Sequence, residues 1–177
     1  MQALSERQSL REFAPTALAV PTLSDLLWAA AGINRESVGG RTAPSAMNSH
    51  EIDLYVALPA GLYLYEPQRH ALELRAESDV RRVTGYQDFV DDAALDLIYV
   101  ANLARMKLVP VAHRESYAAS AAGAMAQNVY LFCASAGLAT VIRAWIDRGI
   151  LAQAMQLGTD QTILLSQTVG FIKSAAS

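Results

Sequence analysis

The sequence is poor in the residues that mark several large classes of protein. It holds a single cysteine, Cys133, in 177 residues, which excludes an internal disulfide, a Cys-rich zinc site and a cysteine-held iron–sulfur cluster. Lysine occurs only at Lys107 and Lys173, and the formal net charge is -3. No basic field of the kind that follows nucleic-acid phosphates is therefore present, and nucleic acid is not an expected partner. Apolar runs are broken well before the ~20 residues that a bilayer-spanning helix requires, and no charged start followed by an apolar run marks a signal peptide. The expectation is a soluble, cytoplasmic protein with no membrane partner. Internal repeats and low-complexity tracts are also missing.

What the chain does have is apolar content. At 53% hydrophobic residues it can bury a normal core, and its length fits one domain over residues 1–177. The pattern is mixed. Thr22 opens a helical stripe through Leu23, Leu26, Leu27 and Ala30, with Asp25 as a capping signal and Gly32 as its end. Residues 34–48 lack periodicity and read as a long loop of the kind that carries function. Ile52–Val56, Leu62–Tyr65 and Leu72–Leu74 alternate like strands of an antiparallel meander. Dispersed charges over residues 76–93 predict a short exposed helix and loop without chemistry. Leu97–Val100 is a further strand, and residues 106–115 read as a mobile connection.

The strongest period links Ala122, Met125, Ala126, Val129, Phe132, Cys133 and Ala136, a long helix ending at Gly137. Its many alanines allow close approach of another helix or a second subunit. Strands over 138–142 and 163–169 flank a helix through Leu151, Ala154, Met155 and Leu157. The order gives an α+β class.

Near the N-terminus, Arg7-Gln8-Ser9-Leu10-Arg11 places two guanidiniums and a hydroxyl at alternate positions. In an extended segment these three share one face and suit an anionic, oxygen-rich ligand such as a phosphorylated polyol. Other groups carry less. Ser45 and His50 lack a nucleophile elbow and an orienting acid, so a hydrolase pair is not supported. His70 and His113 are isolated and read as surface residues, and three scattered histidines make no metal-ligand spacing. Cys133 lies on the apolar stripe and reads as a buried, inert thiol. Trp28 reads as packing, and for Trp145 packing and a ligand contact both stay open.

Four blocks in register resemble the FMN-dependent nitroreductase family: Arg7–Phe13, Arg41–Asn48, Gly123–Asn128 leading to Gly137-Leu138, and Gln167–Lys173. The resemblance implies an α+β nitroreductase-like fold with a central, mostly antiparallel sheet flanked by helices. It also implies an intertwined homodimer with two FMN sites at the interface. Arg7 and Ser9 match positions that hold the phosphate and ribityl chain, and Arg11 matches the cation near flavin N1 and O2. A fixed cation there stabilises the negative charge left by two-electron reduction. Pro44, Ser45 and Ala46 match the partner-chain loop at the cofactor, and Asn48 the asparagine that bonds the ring. Arg143 and Ala144 fall, to within a residue or two, where a backbone N–H reaches N5 and O4. Lys173 matches a C-terminal cation near the phosphate.

The implied activity is electron transfer from NAD(P)H through FMN to a small acceptor, a nitroaromatic or a quinone, by a ping-pong mechanism, with no catalytic side chain beyond the cofactor. Three departures from the family pattern bear on this. The sequence runs only four residues beyond Lys173, so the long C-terminal arm of many members is expected to be missing. Asn48-Ser49-His50-Glu51 stands where Asn-x-Gln-Pro-Trp is typical, which touches substrate and nicotinamide handling. Arg41–Ala46 leans toward the azoline dehydrogenases of peptide-modifying systems. Two alternatives follow: an FMN-dependent dehydrogenase of an azoline-type substrate, and a non-catalytic flavin-binding or sensing protein with residues 76–115 as a partner surface.

Overall fold

The structure is a computed structural model and describes residues 1–173. Its centre is strand β7 (Leu95–Asn102), which pairs antiparallel with β4 (Ile52–Leu58) on one edge and β9 (Gln161–Ile172) on the other. The sheet extends from β4 through β5 (Gly61–Glu66) to β6 (Ala71–Ala76). Beyond the end of β7, β9 pairs with β1 (Phe13–Ala14), and its other edge carries β8 (Leu138–Arg143). All these pairings are antiparallel, and the seven strands form one sheet. The α+β class with a central antiparallel sheet is therefore as the sequence predicts.

Helices cover both faces. Alternation along β7 sends Leu95, Leu97, Tyr99 and Ala101 to one side, into a core with α2 (Val20–Ala31) and α3 (Val111–Ala136). Ile98 and Val100 face the other side, where Leu151 of α4 (Arg148–Ala154) and Met155 pack. Burial on both faces explains why this strand reads as a continuous apolar run rather than an alternating one. The short helix α1 (Gln2–Glu6) lies near α3. No helix among the described residues is long and apolar enough to cross a membrane.

Several local expectations need correction. Helix α2 starts at Val20, with Pro21 in its first turn and no side-chain cap, because the fixed φ of proline suits that position and needs no N–H partner. Asp25 is not a cap. Trp28 is half exposed, and its indole N–H donates to the Ile33 carbonyl at 3.3 Å. The stretch read as loop contains a small hairpin, β2 (Ile33–Arg35) with β3 (Gly40–Arg41). Residues 106–115 are not a connection: Met106 and Val109 are buried, and α3 begins at Val111. Residues 76–93 hold a single 3-10 turn, Arg81–Val83, yet Val80, Arg81, Thr84, Val90 and Ala93 are buried.

Gly137 ends α3 in the left-handed conformation, φ 67°, where glycine escapes the Cβ clash that other residues meet. Cys133 is fully buried four residues earlier, and burial pushes its thiol up to about 12. Native protein is therefore expected to be inert to an aromatic disulfide reagent at neutral pH and to release one equivalent of colour only after unfolding.

Candidate functional site

The N-terminal arm, residues 7–12, runs extended against β8. Leu10 N–H donates to the Thr140 carbonyl at 3.0 Å. Tyr130, on the C-terminal half of α3, organises the contact. Its hydroxyl accepts the Ile142 N–H at 3.0 Å and shares a 2.8 Å bond with Ser9 Oγ. The Arg7 guanidinium lies over the same ring, 5.3 Å from its centroid. A cation held against an aromatic face loses little further freedom when it meets an anion, and all its N–H donors stay available. Gln8 and Leu10 line a cavity of about 130 Å³ with Tyr130 and Cys133.

Arg11 is exposed, and its side chain has no hydrogen-bond or ion-pair partner among the described residues. Lys173 lies beside it, because its backbone N–H donates to the Glu12 carbonyl at 3.2 Å. The backbone thus brings residues 11 and 173 to neighbouring positions where β1 meets the end of β9, while Arg7 and Ser9 sit farther back on the same arm, at Tyr130. Arg143 and Ala144, at the end of β8, follow directly after the Ile142 N–H bound by Tyr130.

The Arg143 side chain turns inward. Its Nη2 reaches Asp96 Oδ1 at 2.6 Å and Thr168 Oγ1 at 2.8 Å, and its Nη1 donates to the Thr84 carbonyl at 2.9 Å. Thr168 donates its hydroxyl to the same Asp96 oxygen at 2.5 Å, and Ser166 donates to the Thr84 carbonyl at 2.9 Å. Burial pushes the Asp96 carboxyl up to about 6, opposed by the Arg143 charge and the threonine hydroxyls. This network was not predicted; residues 76–93, read as without chemistry, supply Thr84. Its signal in the sequence is an aspartate inside the apolar run 95–100. Gly85 leaves room for the guanidinium, since a Cβ there would overlap Arg143 Nη1. Gly85→Ala is expected to cost about 1–3 kcal/mol in a denaturation experiment, as overpacking does.

Trp145, strongly exposed at 69%, packs against Tyr86 in a tilted arrangement, with ring centroids 5.1 Å apart and an interplanar angle of 44°. This aromatic pair stands beside Ala144, on the side open to solvent.

The other predicted residues lie elsewhere. Pro44, Ser45 and Ala46 line a shallow cavity of about 300 Å³ with Tyr117 and Ser120 of α3. Tyr117 and Tyr130 are thirteen residues apart on one helix, roughly 20 Å at the α-helical rise. Within one chain the 44–48 loop and the Arg7 arm are therefore not brought together. The loop itself is unusual: Met47, Asn48 and His50 have φ of 51°, 53° and 49°. Three left-handed non-glycine residues in four positions are costly, and such conformations collect at ligand sites. Ser45 Oγ accepts the His50 N–H at 2.9 Å and helps hold the turn. Glu51 behind it is fully buried, and burial raises its carboxyl above the ordinary range.

Comparison with known proteins shows the family and the fold. The profile of the Nitroreductase family matches residues 4–171. A Methanocaldococcus jannaschii protein, MJ1384, provisionally named a nitroreductase, is 33% identical over 158 residues, 83% of this chain and 79% of the relative. The crystal structure of a provisionally named nitroreductase from Ralstonia eutropha JMP134 is 54% identical with a TM-score of 0.94, covering 98% of this chain and 83% of that one. More distant structures share the fold. They include the Escherichia coli microcin synthetase McbBCD, at 19% identity, TM-score 0.82 and coverage of 98% and 74%. The Vibrio harveyi NADPH:FMN oxidoreductase has 16% identity, TM-score 0.72 and coverage of 97% and 68%. The chain belongs to the nitroreductase family. It is an oxidoreductase of that family, with the family's fold.

Proposed function

We propose that this protein is an FMN-dependent oxidoreductase that takes electrons from NADH or NADPH and passes them to a small acceptor, a nitroaromatic or a quinone, in two alternating half reactions. The observation that carries the reading is the arm itself: Arg7 lies over the Tyr130 ring, Ser9 bonds the same tyrosine, and residues 11 and 173 are backbone neighbours where β1 meets β9. Two arginines, a lysine and a hydroxyl are the donor set a phosphorylated ribityl chain calls for. When bound, FMN supplies the two-electron chemistry.

The chain's own residues do the rest. Arg7, fixed on Tyr130, and Lys173 hold the phosphate, while Ser9 bonds the ribityl hydroxyls. Arg11 sets a positive charge against the ring edge on which negative charge collects. The Arg143 and Ala144 backbone presents an N–H toward the opposite edge, and the Asp96–Arg143 network keeps that strand end from moving. Trp145 and Tyr86 border the open face, where donor and acceptor take turns.

The separation of Tyr117, beside the 44–48 loop, from Tyr130, beside the arm, roughly 20 Å along α3, favours an intertwined homodimer, in which Pro44, Ser45, Ala46 and Asn48 of one protomer complete the other's site. A colourless apoprotein that takes up FMN with a stoichiometry of one per chain, and a dimer in sedimentation, are the expected results. Initial rates with NADPH and a quinone should give parallel double-reciprocal lines; intersecting lines would rule out alternation.

A specific feature supports a second reading. The Arg41–Ala46 stretch, followed by His50-Glu51 where Gln-Pro is typical, fits an FMN-dependent dehydrogenase of an azoline-type substrate. In that case reduced nicotinamide does not bleach the flavin, and the azoline does.

A further inference from the structure

On the far side of the 44–48 loop lies a cleft of about 280 Å³ whose walls carry Arg41, His50, Asp53, Tyr65, Glu66 and Arg105. One water occupies about 30 Å³ of liquid, so the cleft has room for a small molecule. Its charges are unevenly satisfied. Arg105 forks onto Asp53, with Nη1–Oδ1 2.7 Å and Nη2–Oδ2 3.1 Å, and also donates to the His50 carbonyl at 3.1 Å. Tyr65 is engaged with His70 at 2.7 Å. The Arg41 carbonyl accepts from Arg35 Nη2 at 3.1 Å, but its guanidinium has no hydrogen-bond or ion-pair partner among the described residues. It is half-buried, so a forked cation faces the cleft with nothing to bind.

We infer that this cleft is a binding site for a small oxyanion, a carboxylate or phosphate group, held by the Arg41 guanidinium and the His50 imidazole. The electrostatics point the same way. Burial, then the facing Arg105, holds the Arg41 guanidinium below its usual range, with Asp53, Tyr65 and Glu66 opposing. Burial, then Arg41 and Arg105, depresses the His50 imidazole. Two cations that repel each other across a cleft, with Asp53 already taken by one of them, are relieved by an anion placed beside the other. Glu66 lines the same cleft without a bond of its own, and it weakens anion binding by repulsion. Arg41 and His50 stand at the two feet of the loop 42–49, so an oxyanion bridging them ties the loop's ends together. This is a site separate from the Arg7 arm, and it does not depend on the flavin reading.

The test is calorimetric titration of the purified protein, saturated with FMN, with sodium phosphate and with sodium acetate at matched ionic strength. Saturable heat is expected. Arg41→Gln should weaken binding at least about tenfold, as loss of a charge-assisted contact does. Glu66→Gln should tighten it, a result that misfolding cannot produce. Preference for phosphate identifies a phosphate ligand, and preference for acetate a carboxylate. No saturable heat in either the wild type or Glu66→Gln overturns the inference. So does heat that survives in Arg41→Gln but vanishes in Arg7→Ala, which places the anion at the N-terminal arm instead.

Discussion

Replacing Arg7 with alanine is expected to weaken FMN binding at least tenfold, because a charge-assisted contact to phosphate contributes roughly 1.5–3 kcal/mol. The guanidinium is held over the Tyr130 ring, 5.3 Å from its centroid, so the donor is already placed before the anion arrives. Tyr130→Phe makes a useful companion. It keeps the ring under Arg7 but removes the hydroxyl that joins Ser9 to the Ile142 N–H. It should therefore weaken binding less than Arg7→Ala. Arg11→Ala should behave differently from both. Its guanidinium has no partner within the described chain, and its proposed place is at the ring rather than the phosphate. The expected change is a lower flavin potential with a smaller loss of affinity. Fluorescence titration of apoprotein with FMN, with potentiometry on the loaded variants, separates the two effects. Full FMN retention by Arg7→Ala after extensive dialysis would contradict the phosphate assignment.

The second large effect is on stability. Asp96→Ala leaves the Arg143 guanidinium buried without its anion, and breaking such a pair costs about 3–5 kcal/mol. That is a large share of the ~5–15 kcal/mol available to a domain. Asp96→Asn also removes the negative charge but should cost less than Asp96→Ala, because its amide oxygen still accepts from Arg143. The pH dependence has a definite sign. The folded carboxyl is raised from 3.8 to about 6, so the folded state holds its proton more tightly than the unfolded one. The contribution to stability is complete below about 4 and is lost as pH rises through about 6. Denaturant unfolding at fixed protein concentration across that range should show this slope in the wild type and its absence in Asp96→Asn. An Asp96→Ala protein as stable as the wild type would mean that the network is not holding the end of β8.

These two sites differ in how far the sequence reveals them. The arm can be read as a candidate because its residues are contiguous, and the structure places both Arg7 and Ser9 on Tyr130. The buried network is assembled from Thr84, Asp96, Arg143 and Thr168, residues that only the sheet register brings together. No local pattern joins them. Elements followed the same rule. The stripe through Met125, Val129 and Cys133 marked the half of α3 that packs on the core, whereas its first turns, with Val111, Ala112 and His113 exposed, carry no apolar period to read. β2 and β3, three and two residues long, are shorter than any alternation can show. The left-handed Met47, Asn48 and His50 carry no glycine to announce them.

The most direct test of the account is a visible absorption spectrum of the purified protein, loaded with FMN if needed and followed anaerobically on addition of NADPH and then NADH. Oxidised-flavin bands that bleach with one of the donors are the predicted result. A protein that takes up no FMN under any condition would contradict the reading of Arg7, Ser9, Arg11 and Lys173 as a flavin site.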